Sequence, residues 1–352
     1  MPSAKHFLLA SAFLAGCASQ NTTPDADQLV VNHEAIATQS CPDDVPHIIP
    51  EKISLMADPV GWGEGAGDVL SPLVPVEVYH LTSDHPLLGG LSGLDFLDDN
   101  TLLSVSDMGA MVWLDIEADD LTPDDSAYLT LLKGEEGQPL DGKDDGDSEG
   151  IAWNGEYAFV SLERRHRILA FDLEACGANA RGVPVVAFGA KTFDLGKPVS
   201  ENSGIEALTD FGRDLLAGVE TRTVDMAPLA RLIDGQVPVF DILIPAPDLT
   251  SLTGLEFVSN DDGSGRLYAV TRSYDPLRGN QIGLVTANIS AEGDMSEPEI
   301  LTIFGKEITV DNFEGIAVKP IADGKDRIFI ISDDNFSDRQ RTLLAVLDRQ
   351  LP

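Results

Sequence analysis

The chain has 352 residues and carries 59 Asp and Glu against 23 Lys and Arg, a formal net charge of −36. That balance excludes a nucleic-acid footprint, because nothing basic would neutralise phosphates along a groove. A salt-adapted surface accounts for much of the acid, so the informative carboxylates are those that converge.

The first residues are an address. Lys5 and His6 precede an apolar run, Phe7 to Ala15, that is too short to span a bilayer. The run ends in Leu14-Ala15-Gly16-Cys17, which resembles the lipobox of bacterial lipoproteins. The resemblance implies that residues 1–16 are a signal peptide and that Cys17 carries lipid. Ala18, rather than Asp, follows the cysteine, which is consistent with an outer-membrane lipoprotein of the cell envelope, facing the periplasm or the exterior. An ordinary signal peptide with a chance cysteine is the alternative. No other segment is long and apolar enough to cross a membrane.

Residues 17–45 shift to Ser, Gln, Asn, Thr, Pro and Asp, a composition that buries little surface and reads as a tether. Gly61-Trp62-Gly63-Glu64-Gly65-Ala66-Gly67 superficially suggests a dinucleotide loop. No strand precedes it and no βαβ unit surrounds it, so it reads as a flexible loop. Cys41 and Cys176 are expected to form one disulfide in an oxidising periplasm, with two free thiols as the alternative. No Cys/His spacing indicates zinc.

From about residue 76 the chain repeats. Five units open at Ser92-Gly93-Leu94, Glu149-Gly150-Ile151, Glu206-Ala207-Leu208, Glu256-Phe257-Val258 and Glu314-Gly315-Ile316, about 50 to 58 residues apart, a period that implies a blade array. The first unit predicts strands at Leu91–Leu97, Leu102–Ser106, Met111–Ile116 and Tyr128–Leu132, and the second at Gly150–Trp153, Tyr157–Leu162, Ile168–Leu173 and Pro184–Phe188. The third gives Glu206–Thr209, Leu215–Val219, Leu229–Ile233 and Val239–Ile244, and the fourth Leu255–Ser259, Leu267–Thr271, Ile282–Asn288 and Glu299–Phe304. The fifth has only Gly315–Val318, Ile328–Ser332 and Leu343–Leu347. Val76–Leu81 lies upstream without a partner, and pairing it with the last unit would close a ring and remove an exposed edge. The predicted fold is all-β: a five-bladed β-propeller over residues 46–352, closed by an N-terminal strand. A sixth blade would need residues 43–75 to form a whole sheet, which their Gly and Pro content disfavours.

The innermost strand of each blade lines the axis, so the residues opening those strands should meet there. Ser92, Glu149, Glu206, Glu256 and Glu314 are the expected ring. Carboxylates held together repel unless a cation intervenes, and five oxygen side chains plus water suit one central Ca²⁺. The alternative is that a residue repeated once per blade ties blades together through backbone N–H groups. The second strands end in Ser106-Asp107, Leu162-Glu163, Val219-Glu220, Thr271-Arg272 and Ser332-Asp333, which should emerge at one mouth. Arg164, Arg222 and Arg272 stand among these acids. Acid beside Arg is either a surface ion pair or a metal-assisted phosphate site, with guanidinium forks for phosphoryl oxygens. Ser92 and Arg272 break the repetition, as recognition of an asymmetric substrate requires.

Leu91-Ser92-Gly93-Leu94, Asp147-Ser148-Glu149-Gly150-Ile151, Asn202-Ser203-Gly204-Ile205-Glu206 and Asn312-Phe313-Glu314-Gly315-Ile316 resemble the phytase-like domain also called "esterase-like activity of phytase". So do the endings Ser106-Asp107, Glu163-Arg164 and Ser332-Asp333-Asp334-Asn335-Phe336. The resemblance implies a phosphoester or ester hydrolase. One Ser or Glu per blade also resembles, by architecture, the calcium-activated apyrases, which implies Ser92, Glu149, Glu206, Glu256 and Glu314 as the metal shell. No G-x-S-x-G elbow is present, which disfavours a Ser/His esterase.

Two function classes result. In the first, the protein is a Ca²⁺-dependent hydrolase of a small phosphorylated substrate. Glu163, Glu220 and Asp333 orient the attacking water, and Arg164, Arg222, Arg272 and Asp107 bind substrate. In the second, the same propeller is a monomer that uses Ca²⁺ as a pin and binds an envelope ligand or protein partner.

Overall fold

The computed structural model describes residues 29–117, 121–140, 142–188, 203–221 and 225–352. The signal segment, Cys17 and the first part of the expected tether lie outside them. Five antiparallel sheets form five blades in a ring, the predicted propeller. Blade 1 is built from Leu91–Phe96, Thr101–Ser106, Ala110–Ile116 and Pro123–Leu131, and blade 2 from Ser148–Trp153, Ala158–Leu162, Arg167–Phe171 and Val183–Ala187. Blade 3 comprises Ile205–Phe211, Asp214–Val219, Met226–Leu232 and Ile242–Pro245. Blade 4 comprises Ser251–Ser259, Gly265–Asp275, Gly279–Ile289 and Glu299–Phe304. Blade 5 takes Phe313–Ile321, Lys325–Ser332 and Leu343–Gln350 from the C-terminus.

The ring closes as expected. Val74–Thr82 pairs antiparallel with Leu343–Gln350, placing Val78 opposite Ala345. The sixth-blade alternative is not realised. Within residues 43–75, Glu51–Ser54 adds to the outer edge of blade 1 and Met56–Pro59 to that of blade 5. Each continues an existing sheet.

Five apolar layers hold the ring, one between each pair of neighbouring blades. This explains the continuous apolar runs in the sequence. In Ile328-Phe329-Ile330-Ile331, Ile328 and Ile330 pack toward blade 4 while Phe329 and Ile331 pack toward blade 1. A strand buried on both faces has no polar alternation to display.

Two expectations change. Residues 29 to 45, read as the end of a tether, are docked. Leu29 and Ile36 are buried in the layer between blades 2 and 3, and Asn32 caps the helix His33–Ser40. The Leu29 N–H donates to Gln236 O and the Val30 N–H to Val185 O. Cys41 and Cys176 are bonded, fastening this segment to blade 2. The Gly61–Gly67 stretch is not a free loop either. Trp62 is buried between blades 4 and 5 and its indole N–H donates to Val346 O at 3.0 Å. One large aromatic outweighs the flexibility that its glycine neighbours suggest.

Candidate functional site

Every innermost strand is bulged near its start. The register shifts between Leu91 and Gly93, Ser148 and Ile151, Ile205 and Ala207, Leu252 and Gly254, and Phe313 and Gly315. A bulge leaves a residue unpaired and re-aims its side chain. The residues at the bulges are Ser92, Glu149, Glu206, Thr253 and Glu314. The backbone confirms their equivalence. The N–H groups of Asp107, Glu163, Glu220 and Asp333 donate to Gly90, Asp147, Gly204 and Asn312, each two residues before a bulge residue. Arg272 stands opposite Ser251, two before Thr253.

The fourth ring position is therefore Thr253, and the expected placement of Glu256 in the ring is corrected. Glu256 lies three residues further along the strand, where its charged neighbours are Asp95 and Asp210. Burial, then those two carboxylates, hold it well above the ordinary range. Burial also raises Asp95 to about 7 and Asp210 to about 6. This level of the propeller ties blades together. Asp95 accepts the Trp153 N–H of blade 2 at 2.6 Å, and the Thr209 hydroxyl accepts the Phe257 N–H of blade 4 at 3.0 Å.

The glycine that follows four of the five bulge residues, Glu206 with its Ala207 being the exception, has a steric cause. A Cβ at Gly93, Gly150, Gly254 or Gly315 would lie 2.8, 3.0, 2.3 or 2.7 Å from the carbonyl oxygen of Glu149, Glu206, Glu314 or Ser92 respectively. Each is the bulge residue of the next blade. The repeated x-Gly motif is thus the print of backbone packing around the axis.

The mouth residues Asp107, Glu163, Glu220, Arg272 and Asp333 occupy equivalent positions, as expected. Arg272 reaches from blade 4 to blade 5, where Nη2 is 2.9 Å from Glu314 Oε1, and it faces Glu220, Glu206 and Asp333. Its Nε is buried without a hydrogen-bond partner among the described residues. Ser92 and Asn312 also donate to the Glu314 carboxylate. Thus Arg272 serves as an internal counter-charge on one side of the mouth.

On the other side, three carboxylates of blade 2 converge. One oxygen each of Asp147, Glu149 and Glu163 lie within 4.8 Å of one another. Asp147 is 4% exposed; its Oδ2 accepts from Arg164 Nε at 2.9 Å, while Oδ1 is buried without a partner among the described residues. Glu163 accepts the Gly204 N–H at 3.2 Å and shares a hydrogen bond with Glu206. Burial raises Glu163 to about 7. Burial, with Glu314 and Glu163 nearby, holds Glu149 well above its usual value. Across the mouth, burial and then Glu314 raise Asp333 to about 8. An oxygen-only group with an orphaned buried acceptor fits a hard cation such as Ca²⁺. It is gathered on one blade, where a shell shared by all five was expected.

The remaining predicted residues separate. Asp107 is 2.6 Å from Lys143 Nζ, and Arg164 is held by Asp147 and Asp144. Arg222 lies outside the described residues. Sequence reasoning missed Asp147, Lys143, Thr253 and Asn312. Asp147 and Asn312 share the position two before a bulge, a periodic signal once the register is known. Thr253 was recoverable from Thr253-Gly254-Leu255, which matches Ser92-Gly93-Leu94. Lys143 sits in an irregular connection and has no periodic signal. Beside the acids, a cavity of about 800 Å³ is lined by Arg164, Arg165, His166, Arg167, Glu135 and Phe188, among others.

Five bulged strands around an acid-lined mouth define a five-bladed β-propeller with a polar site on its axis. The chain belongs to the phytase-like family described as "Esterase-like activity of phytase", whose family model matches residues 86–336. Comparison with curated proteins gives no match. Among solved structures, the chain is similar to the PQQ-bound aldose sugar dehydrogenase of Streptomyces coelicolor, with 13% identity, 78% of this chain and 100% of that chain covered, and a TM-score of 0.41. It is similar to the glutaminyl cyclase of Myxococcus xanthus at 14% identity, covering 78% and 96%, with a TM-score of 0.41. The putative exo-beta-1,3-galactanase of Bifidobacterium bifidum gives 12% identity, 76% and 89% coverage, and a TM-score of 0.43. Likenesses this distant carry no argument about activity.

Proposed function

We propose that the protein is a Ca²⁺-dependent phosphoester hydrolase of the cell envelope. The observation that carries this reading is the convergence of Asp147, Glu149 and Glu163 beside the Arg164 guanidinium, with Arg272 across the mouth on Glu314. Asp147, Glu149 and Glu163 would hold the cation, which when bound supplies Lewis-acid polarisation of a phosphoryl oxygen. Arg272 offers its unpartnered Nε to a second phosphoryl oxygen, and Arg164 orients Asp147 while lining the adjacent cavity. Asp333, which burial and then Glu314 push up to about 8, would be the proton donor to the departing alcohol oxygen. Glu220 faces Arg272 and helps fix it.

The test is phosphate release from an aryl phosphate and from phytate, with Ca²⁺ and with chelator. Chelator-sensitive release that is lost in Asp147→Asn is the expected result; no release under any condition contradicts it. One observation favours a non-catalytic reading. Arg272 and Lys143 are already paired with Glu314 and Asp107, as in a mouth whose charges serve cohesion. In that case Ca²⁺ would raise the melting temperature without any turnover, and the mouth would bind an envelope ligand.

Envelope placement is part of the same proposal and rests on the Leu14-Ala15-Gly16-Cys17 motif. Among the described residues no helix is long and apolar enough to cross a membrane. Fatty-acid labelling that disappears in Cys17→Ser would support the lipid anchor, and persistent labelling would contradict it.

A further inference from the structure

Lys143 stands where a cation held by the blade 2 carboxylates would press on it. Its ammonium is 2.6 Å from Asp107 Oδ2 and also faces Asp147 and Glu149. Asp107 is 3% exposed, and its second oxygen, Oδ1, is buried with no hydrogen-bond partner among the described residues, as is Asp147 Oδ1. Two acceptor atoms at one mouth are therefore withdrawn from water and unsatisfied. Lys143 differs from its neighbours in being 46% exposed, on a turn between blades 1 and 2.

We propose that Lys143 is a resident counter-ion that leaves when a divalent cation binds, and that its departure frees Asp107 to become the fourth carboxylate ligand. This rests on the reading that Asp147, Glu149 and Glu163 hold the cation. Three carboxylates supply at most six oxygens, the lower end of the roughly six to eight that Ca²⁺ takes. Several acids adjoin these three, and Asp107, which faces Asp147, is the one that keeps a buried oxygen unpartnered among the described residues. A dication among these groups repels the ammonium at short range, and a half-exposed lysine can return its charge to water. Arg164 cannot do the same. Its Nε and Nη1 are held by Asp147 and Asp144, so it remains to orient Asp147. Cation binding becomes an exchange, and its affinity is lower than four unopposed acids would give.

Amine-selective labelling of chelator-stripped protein, read by mass spectrometry, reports on Lys143 directly. Ca²⁺ should accelerate labelling of Lys143 severalfold while leaving other lysines unchanged. Calorimetric titration with Ca²⁺ should show about tenfold tighter binding in Lys143→Met, because a like charge has been removed from the site. Lys143→Arg should stay near the original affinity. A labelling rate indifferent to Ca²⁺, or an unchanged affinity in Lys143→Met, overturns the exchange while leaving the cation site standing. Absence of Ca²⁺ binding in the original protein and both variants overturns the site and the exchange together.

Discussion

At the residue scale, the division between Asp147 and Glu256 carries the account. Both are buried acids, Asp147 just before an innermost strand and Glu256 within one, yet Asp147 has an oxygen within 4.8 Å of those of two other carboxylates while Glu256 belongs to the level of blade ties. Asp147→Asn should weaken Ca²⁺ binding at least about tenfold, since a charged ligand is lost, as read by calorimetry. Glu256→Gln should leave Ca²⁺ affinity unchanged and raise the melting temperature at alkaline pH, because it removes a carboxylate that burial disfavours when charged. Weakened Ca²⁺ binding in Glu256→Gln would restore it to the ring. The sequence made Glu149 and Glu314 legible because acid and glycine coincide there, Ser92 through its glycine alone, and Glu206 through its charge and spacing with Ala207 in place of glycine. It misplaced the fourth member because the acid and the glycine signature there fall three residues apart.

At the element scale, the bulge and the glycine behind it set the site. The bulge aims the ring side chain inward, and the glycine lets the next blade's carbonyl approach. Strand order, blade count and the closing strand could be read from the repeat, since apolar runs between Gly, Asp and Asn turns reflect burial on both faces. The bulges could not, because these strands are buried on both faces and so have no alternation for a one-residue shift in pairing to disturb. Gly254→Ala places a Cβ 2.3 Å from Glu314 O, and overpacking of this kind costs about 1–3 kcal/mol. Denaturant unfolding should show that loss together with weaker Arg272–Glu314 pairing. A variant as stable as the original would contradict the packing account of the motif. Trp62, read as part of a loop, should prove similarly costly when truncated: Trp62→Ala is expected to lose about 3–5 kcal/mol.

At the scale of the whole molecule, the ring carries more buried acid than its own cations offset. The direction of the pH dependence follows. A carboxylate raised in the folded state contributes stability below its unfolded value of about 4, and that contribution is lost as pH climbs through the folded value. With Asp210 at about 6, Asp95 and Glu163 at about 7 and Asp333 at about 8, chelated protein should lose thermal stability progressively from the unfolded value of about 4 up to about pH 8. Ca²⁺ should restore the part due to the mouth and leave the part due to Asp95, Asp210 and Glu256. A melting temperature flat from pH 5 to 9 in chelator, on the order of the range these groups span, would contradict the buried-acid account. The docked N-terminal segment is held by a disulfide spanning 135 residues. Its removal in Cys41→Ser with Cys176→Ser is expected to cost about 2–5 kcal/mol.

The most direct measurement is a crystal structure of the Ca²⁺-loaded protein with the ion located by anomalous scattering. The account predicts a single peak on blade 2, at roughly 2.3–2.6 Å from carboxylate oxygens of Asp147, Glu149 and Glu163, with Arg272 still paired to Glu314. A peak shared equally by the five bulge residues, or no peak at the mouth at saturating Ca²⁺, would contradict it.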